Sequence, residues 1–186
     1  GWIAPVLKRH GAAAPPALIE QRDVWARGQL VTAIVLPRGS GPNAALYAEY
    51  QRPLHWPLTN EEVEEKRPLS GAELKTREGA LLQAAIERGA PKAGGRPVVI
   101  ALDERGKTLG SRDFAARLKA WEEQGAPEIL FLLGGADGLS PELRNAANFV
   151  LSLGQMTWPH LLARAMLVEQ IYRAQQILAG HPYHRD

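Results

Sequence analysis

Residues 128–133 read Glu-Ile-Leu-Phe-Leu-Leu, five apolar positions in succession that leave neither face of an extended segment for water. Such a strand lies inside a sheet covered on both sides, and this requirement decides the fold class. Two more short runs repeat the pattern: Leu30–Leu36 (LVTAIVL), stopped by Pro37 and Gly39, and Pro97–Leu102 (PVVIAL). Phe149–Leu153 makes a fourth strand. Between the strands fall helical spacings. In Glu73–Arg88, Leu74, Leu81, Leu82 and Ala85 share one face, and Gly89 closes the segment. Ser111 is placed to cap a helix in which Phe114, Leu118 and Trp121 stand at i, i+4 and i+7. Ser140 caps another, with Pro141 in its first position and Leu143, Ala146, Ala147 and Val150 on one face. Leu161–Leu178 is a long helix, apolar around much of its girth, closed by Gly180 and Pro182. Ala44–Gln51 is a short helix, whereas Leu58–Lys66 reads equally as helix or as edge strand. Strand-helix alternation with continuous apolar strands predicts an α/β fold, a parallel sheet with helices on both faces.

A chain of 186 residues, 45% of them hydrophobic, supports one domain with a sizeable core. That domain is expected over residues 29–186. Residues 1–28, with an Ala/Pro cluster and no sustained period, read as an extension outside it. The absence of cysteine removes disulfides, thiolate nucleophiles and Cys-based zinc sites from consideration, and suits a reducing compartment. No apolar run reaches the roughly 18 residues of a membrane span, so a soluble, cytoplasmic protein without membrane contact is expected. The net charge of +2 permits an RNA or phosphate partner without arguing for one, because the basic residues are scattered among glutamates.

Two glycine loops invite a nucleotide reading. A phosphate loop requires Gly-x-x-x-x-Gly-Lys-Ser/Thr, but counting back from Gly106-Lys107-Thr108 puts Ala101 in place of the first glycine, inside a strand. Gly134-Gly135-x-x-Gly138 misses the dinucleotide fingerprint likewise, with Leu133 where the first glycine belongs. A nucleotide-phosphate hydrolase is therefore disfavoured. Both loops nonetheless follow the carboxyl end of an apolar strand, as does Leu153-Gly154-Gln155-Met156-Thr157-Trp158. Ligands of open α/β sheets collect at such ends, so a small ligand held by main-chain groups is expected there. The competing explanation, glycines serving only as turn residues, holds for any one loop taken alone.

The segments LDERGK, LLGGADGLSP, LSLGQMTWPHLLAR, EQIYRA and HPYHRD, in this order, resemble the bacterial RlmH family. These are SPOUT-class methyltransferases acting on N3 of a pseudouridine in 23S, large-subunit ribosomal RNA. The resemblance covers residues 29–186 and is strongest from Val98 onward. This chain departs from the family pattern at Ala136-Asp137, at Trp158 and in the ending of its first strand. The resemblance implies a C-terminal trefoil knot, a homodimer, and S-adenosylmethionine (S-adenosyl-L-methionine) held in the knot. It assigns the cofactor pocket to Leu102, Gly134, Leu153, Gly154, Gln155, Met156, Thr157 and Trp158. It assigns substrate binding and catalysis to Tyr183, His184 and Arg185. On this reading Gly106-Lys107-Thr108 is the turn leaving the strand that ends at Leu102. Asp103 and Glu104 stabilise that turn, and Lys107 faces solvent or RNA phosphate. His184 is the candidate proton acceptor, Tyr183 is suited to stack on or hydrogen-bond the base, and Arg185 to hold a phosphate or carbonyl oxygen. No metal is implied, since His181 and His184 lack a third ligand. His160 is a structural or near-pocket histidine. The alternative function is a non-catalytic RNA-binding or ribosome-assembly factor retaining the fold.

Overall fold

The computed structural model describes residues 31–37, 44–63, 65, 67–88, 96–135 and 137–184. Its elements, in chain order, are β1 (Val31–Pro37), α1 (Ala44–Gln51), β2 (Leu58–Val63), α2 (Gly71–Arg88) and β3 (Val98–Thr108), followed by α3 (Ser111–Glu123), β4 (Glu128–Leu133), α4 (Pro141–Ala146), β5 (Phe149–Ser152) and α5 (His160–Leu178). The strands form one sheet in the order β2-β1-β4-β3-β5, and every pairing is parallel. Residues 1–28, the expected extension, lie outside the described residues. Among the described residues no helix is long and apolar enough to cross a membrane.

The apolar strands are continuous because both faces of the sheet are covered. Ile129, Phe131 and Leu133 of β4, with Ile100 of β3 and Leu151 of β5, point into a core shared with Tyr47 of α1, Phe114 and Leu118 of α3, and Leu167 and Ile171 of α5. The intervening residues Leu132 and Ala101 turn to the other side and meet Leu82 and Ala85 of α2 and Leu143 of α4. This is the period-2 alternation of a strand with apolar neighbours on both sides. All six β4 positions are buried. Full burial of a side chain such as Phe131 contributes about 1.5–3 kcal/mol. Helix α5 packs on α1 and α3, completing the first layer.

Several local expectations change. Leu58–Val63 is strand, not helix; it adds to the edge of the sheet beside β1, its glutamates accommodated where, among the described residues, one side of the strand has no neighbour. Ser140 caps α4 as expected, accepting from the Leu143 N–H at 3.3 Å, with Pro141 following. That helix stops at Ala146, however, leaving Ala146 exposed and placing Val150 on β5. Ser111 is not a cap. Gly110 occupies the N-cap position, and the Ser111 hydroxyl donates instead to Gln170 Oε1 of α5 at 2.8 Å. The tripeptide Gly106-Lys107-Thr108 is not simply a turn leaving the sheet. Leu102 and Lys107 both pair with Leu151, so residues 103–106 bulge outward and the chain rejoins the ladder at Lys107 and Thr108. Gly106 is needed there because a Cβ would lie 2.7 Å from backbone atoms of Val150 and Leu151.

Candidate active site

Since β4, β3 and β5 are parallel neighbours, their carboxyl ends open on the same edge of the sheet. Three irregular segments leave that edge: the bulge 103–106, the loop from Gly134 to α4, and the loop from Leu153 to α5. They enclose a cavity of about 240 Å³. Of the eight residues expected at a cofactor pocket, Leu102, Gly134, Leu153, Gly154, Met156, Thr157 and Trp158 line it, and Gln155 does not. Leu133, Leu151 and Ala163 extend the apolar walls, while Asp103, Glu104 and Arg105 bring charge to one side. His160 lines the cavity as well, as its near-pocket reading anticipated.

Glycine is required at two points. A Cβ on Gly134 would fall 2.4 Å from Gly138 C and 2.5 Å from Leu139 N, inside any real contact, so only a bare Cα lets the loop fold back on itself. Gly154 has φ +123°, a conformation side chains rarely adopt. Its turn is pinned by Ser152, whose hydroxyl accepts from the Gly154 N–H (3.1 Å) and donates to the Gly154 carbonyl (2.8 Å).

Polar contacts tie the three segments together. Asp103 accepts from the backbone N–H of Arg105 (3.0 Å) and pairs with Arg144 of α4 (3.2 Å), both side chains being largely covered. The stabilising role read for Asp103 therefore fits, although what it stabilises is a bulge. Glu104 accepts from the Thr157 hydroxyl at 3.4 Å, joining the bulge to the β5–α5 loop. Lys75, from α2, donates to the Asp137 carbonyl at 2.9 Å and lines the cavity. Nothing in the local sequence marks Lys75 for this position; it arrives because α2 lies over that side of the sheet. Glu78, one turn further along α2, sits against Gly135, where an added Cβ would be 2.9 Å from its carboxylate. Burial, followed by the charge of Asp137, holds the Glu78 carboxyl above the usual range. Lys107 is exposed.

The terminal residues lie elsewhere in the chain's own fold. Tyr183 and His184 are half-buried and do not line the cavity; Arg185 lies outside the described residues. The Tyr183 hydroxyl donates to Glu169 Oε1 at 3.2 Å. Its ring meets Tyr172 edge-on, centroids 4.9 Å apart, and the Arg173 guanidinium lies 4.9 Å from its centre. Burial first, then the charge of Glu169, push the phenol well above its ordinary value, so it keeps its proton at neutral pH. Ala163 lines the cavity and Glu169 follows six residues later, a separation of about 9 Å along the helix axis.

A family model described as a predicted SPOUT methyltransferase matches residues 34–184. A protein of Rhodospirillum centenum named ribosomal RNA large subunit methyltransferase H is 53% identical over 145 residues, 78% of this chain and 91% of that protein. Proteins of the same name from Paramagnetospirillum magneticum and Paracoccus denitrificans are 48% and 45% identical, each covering 99% of its own length and 84% and 85% of this chain.

Proposed function

The chain belongs to the SPOUT methyltransferase family, among its ribosomal RNA large subunit methyltransferase H members, and from that premise we propose that it transfers a methyl group from S-adenosylmethionine to N3 of a pseudouridine in 23S ribosomal RNA. The observation that carries the reading is the meeting of three separate loops around one cavity lined by seven of the eight residues that the family resemblance assigns to the cofactor. Their chemistry fits an adenosine-bearing ligand. Leucines and a tryptophan offer flat apolar walls, and glycines expose main-chain groups for the edges of the ring. At Gly134 only a bare Cα lets the loop that borders the cavity fold back against Gly138 and Leu139. The finer reading is a trefoil knot closing around this cavity, one domain over residues 29–186, a homodimer, and action in the cytoplasm on ribosomal RNA or the ribosome.

When bound, S-adenosylmethionine supplies an electrophilic methyl group on a sulfonium. The chain's own residues do the rest. Leu102, Leu153 and Trp158 exclude water and orient the cofactor, while Gly134 and Gly154 let backbone approach it. Met156 and Thr157 complete the wall beside them, and Gln155 flanks it. His184 accepts the N3 proton of the base as the nitrogen attacks in line. Arg185 holds a phosphate or carbonyl oxygen of the RNA, and Tyr183 belongs to the same substrate-handling tail. Because Tyr183 and His184 do not line their own chain's cavity, a homodimer in which each tail serves the partner's cavity accounts for both halves of the site.

Titration with S-adenosylhomocysteine tests the reading directly. Saturable binding at one site per chain is expected, weakened in Trp158→Ala. A protein that binds RNA but no such ligand would instead be an assembly factor on a methyltransferase fold. For the base, His184→Ala is expected to retain cofactor and RNA binding and to lose methyl transfer; an unchanged rate would remove His184 from the role.

A further inference from the structure

Helix α5 carries a line of side-chain hydrogen bonds that the methyl-transfer chemistry leaves unused. The Ser111 hydroxyl at the start of α3 donates to Gln170 Oε1 at 2.8 Å. The Gln170 amide donates to Glu169 Oε2 at 2.7 Å. The other oxygen of Glu169 accepts from Arg173 and from the Tyr183 hydroxyl. Tyr183 is thereby held on three sides, by the Glu169 carboxylate, the edge contact with Tyr172 and the Arg173 guanidinium over its ring. Tyr172 is braced in turn by Tyr50 of α1, their centroids 6.3 Å apart.

This arrangement is costly unless the carboxylate is wanted. The Glu169 side chain is only 15% exposed, and a charge so covered must be compensated by hydrogen bonds from every side. Gln170, Arg173 and Tyr183 provide them. Only three residues separate helix α5, ending at Leu178, from Pro182, and the short tail beyond takes its direction from the contacts that its side chains make. The backbone N–H of His181 still closes on the Gln176 carbonyl at 2.9 Å; beyond it the Tyr183 side chain is the attachment, and His184 follows it directly. A phenol already committed as donor to a carboxylate is a poor proton acceptor, so Tyr183 serves its neighbours by staying in place.

Resting on the methyl-transfer reading above, we infer that Glu169 is a positioning residue: with Gln170 and Arg173 it anchors Tyr183 and so aims His184 at the substrate. The residue acts through the tail and does not touch cofactor or base. The link through Gln170 to Ser111 ties this anchor to the start of α3, directly after the strand whose bulge borders the cavity. Tail and cavity rim are therefore braced on the same helix.

The test compares Glu169→Ala, Glu169→Gln and the parent protein in steady-state methyl transfer to a large-subunit RNA fragment, across pH. Chymotryptic cleavage after Tyr183, read by mass spectrometry, gives a second measurement that needs no activity. In Glu169→Ala, kcat is expected to fall by about tenfold to a hundredfold, the usual effect of misplacing a reacting group by an ångström. Affinity for S-adenosylhomocysteine stays unchanged, the shape of the pH profile is retained, and cleavage after Tyr183 accelerates. Glu169→Gln keeps an acceptor for the phenol and is expected to recover most of the rate. An unchanged kcat in Glu169→Ala overturns the inference whatever the cleavage rate, and so does loss of one limb of the pH profile, which would make Glu169 a proton carrier. If the parent protein moves no methyl group while Glu169→Ala still frees the tail, the anchor is supported and the methyl-transfer reading falls.

Discussion

Gly134→Ala puts the construction of the cavity under the most direct strain. The new methyl carbon would start 2.4 Å from Gly138 C and 2.5 Å from Leu139 N, whereas ordinary contact begins at 3.4 Å. Backbone must therefore retreat by about 1 Å, the difference between those distances, since the clashing atoms cannot rotate away as a side-chain end would. Gly138 resists the movement because it turns at φ +72°, and Leu139 just beyond it is buried in the core on the α2 side. Overpacking of this kind costs about 1–3 kcal/mol, and a backbone clash belongs in the upper part, about 2–3 kcal/mol. For a chain of this size that lowers the melting temperature by roughly 4–12 °C. The same retreat disturbs the cavity wall beside Leu102, whose strand partner is Leu133, and a loss of about 1–2 kcal/mol in binding would weaken S-adenosylhomocysteine roughly 5- to 30-fold. Calorimetric melting and isothermal titration of one preparation read both effects. Gly154→Ala is the companion variant, because its Cβ would meet nothing within 4 Å and its penalty is backbone strain at φ +123° alone. A Gly134→Ala protein that melts and binds like the parent would refute the idea that close backbone approach shapes this cavity.

Other outcomes separate the remaining contacts. Gly135→Ala comes nearest to the Glu78 carboxylate, at 2.9 Å, the end of a flexible side chain; it is expected to cost under about 1 kcal/mol in thermal unfolding, well below Gly134→Ala. Asp103→Ala leaves Arg144 without its partner and frees the bulge; a loss of about 1–2 kcal/mol is expected, between the values for exposed and buried pairs, with weaker cofactor binding by titration. The Glu65 carboxyl is lowered to about 2, chiefly by the Arg67 side chain, then by the Arg67 backbone N–H and by Arg77. A folded carboxylate titrating below its unfolded value contributes fully above about pH 4.5 and progressively less as pH falls toward 2. Glu65→Gln should accordingly flatten the stability-against-pH curve in that window and leave its shape above pH 5 alone, as denaturant unfolding at stepped pH would reveal.

The parts of the fold legible in the sequence were those dictated by burial. Glu128–Leu133 could only be a doubly covered strand, and the Ser140-Pro141 pair could only begin a helix. Leu58–Val63 was ambiguous because an edge strand has one neighbour and tolerates the glutamates that also suit a helix. Ser111 carried a sound capping signal, but Gly110 takes the cap position, Ser111 becomes the first residue of the helix, and its hydroxyl donates to Gln170, 59 residues away. The bulge at 103–106 escaped notice because its cause is a backbone approach to Val150 and Leu151, which no local pattern encodes. At the candidate site, glycine spacing and strand ends pointed to the sheet edge where the cavity lies, and the family resemblance named seven of the eighteen residues that line it. Lys75 remained invisible, since its position depends on how α2 lies across the sheet. The tail was legible as chemistry and not as geometry: His-Pro-Tyr-His spells out donors and acceptors, while the Glu169 anchor is a property of helix α5.

Mapping methylated nucleotides in 23S ribosomal RNA tests the central claim most directly, using cells that lack this protein and adding the purified chain and S-adenosylmethionine to their ribosomes. The account predicts that a single pseudouridine is unmethylated at N3 in those cells and regains the methyl group on addition. Full methylation without the protein, or none restored by it, would contradict the account.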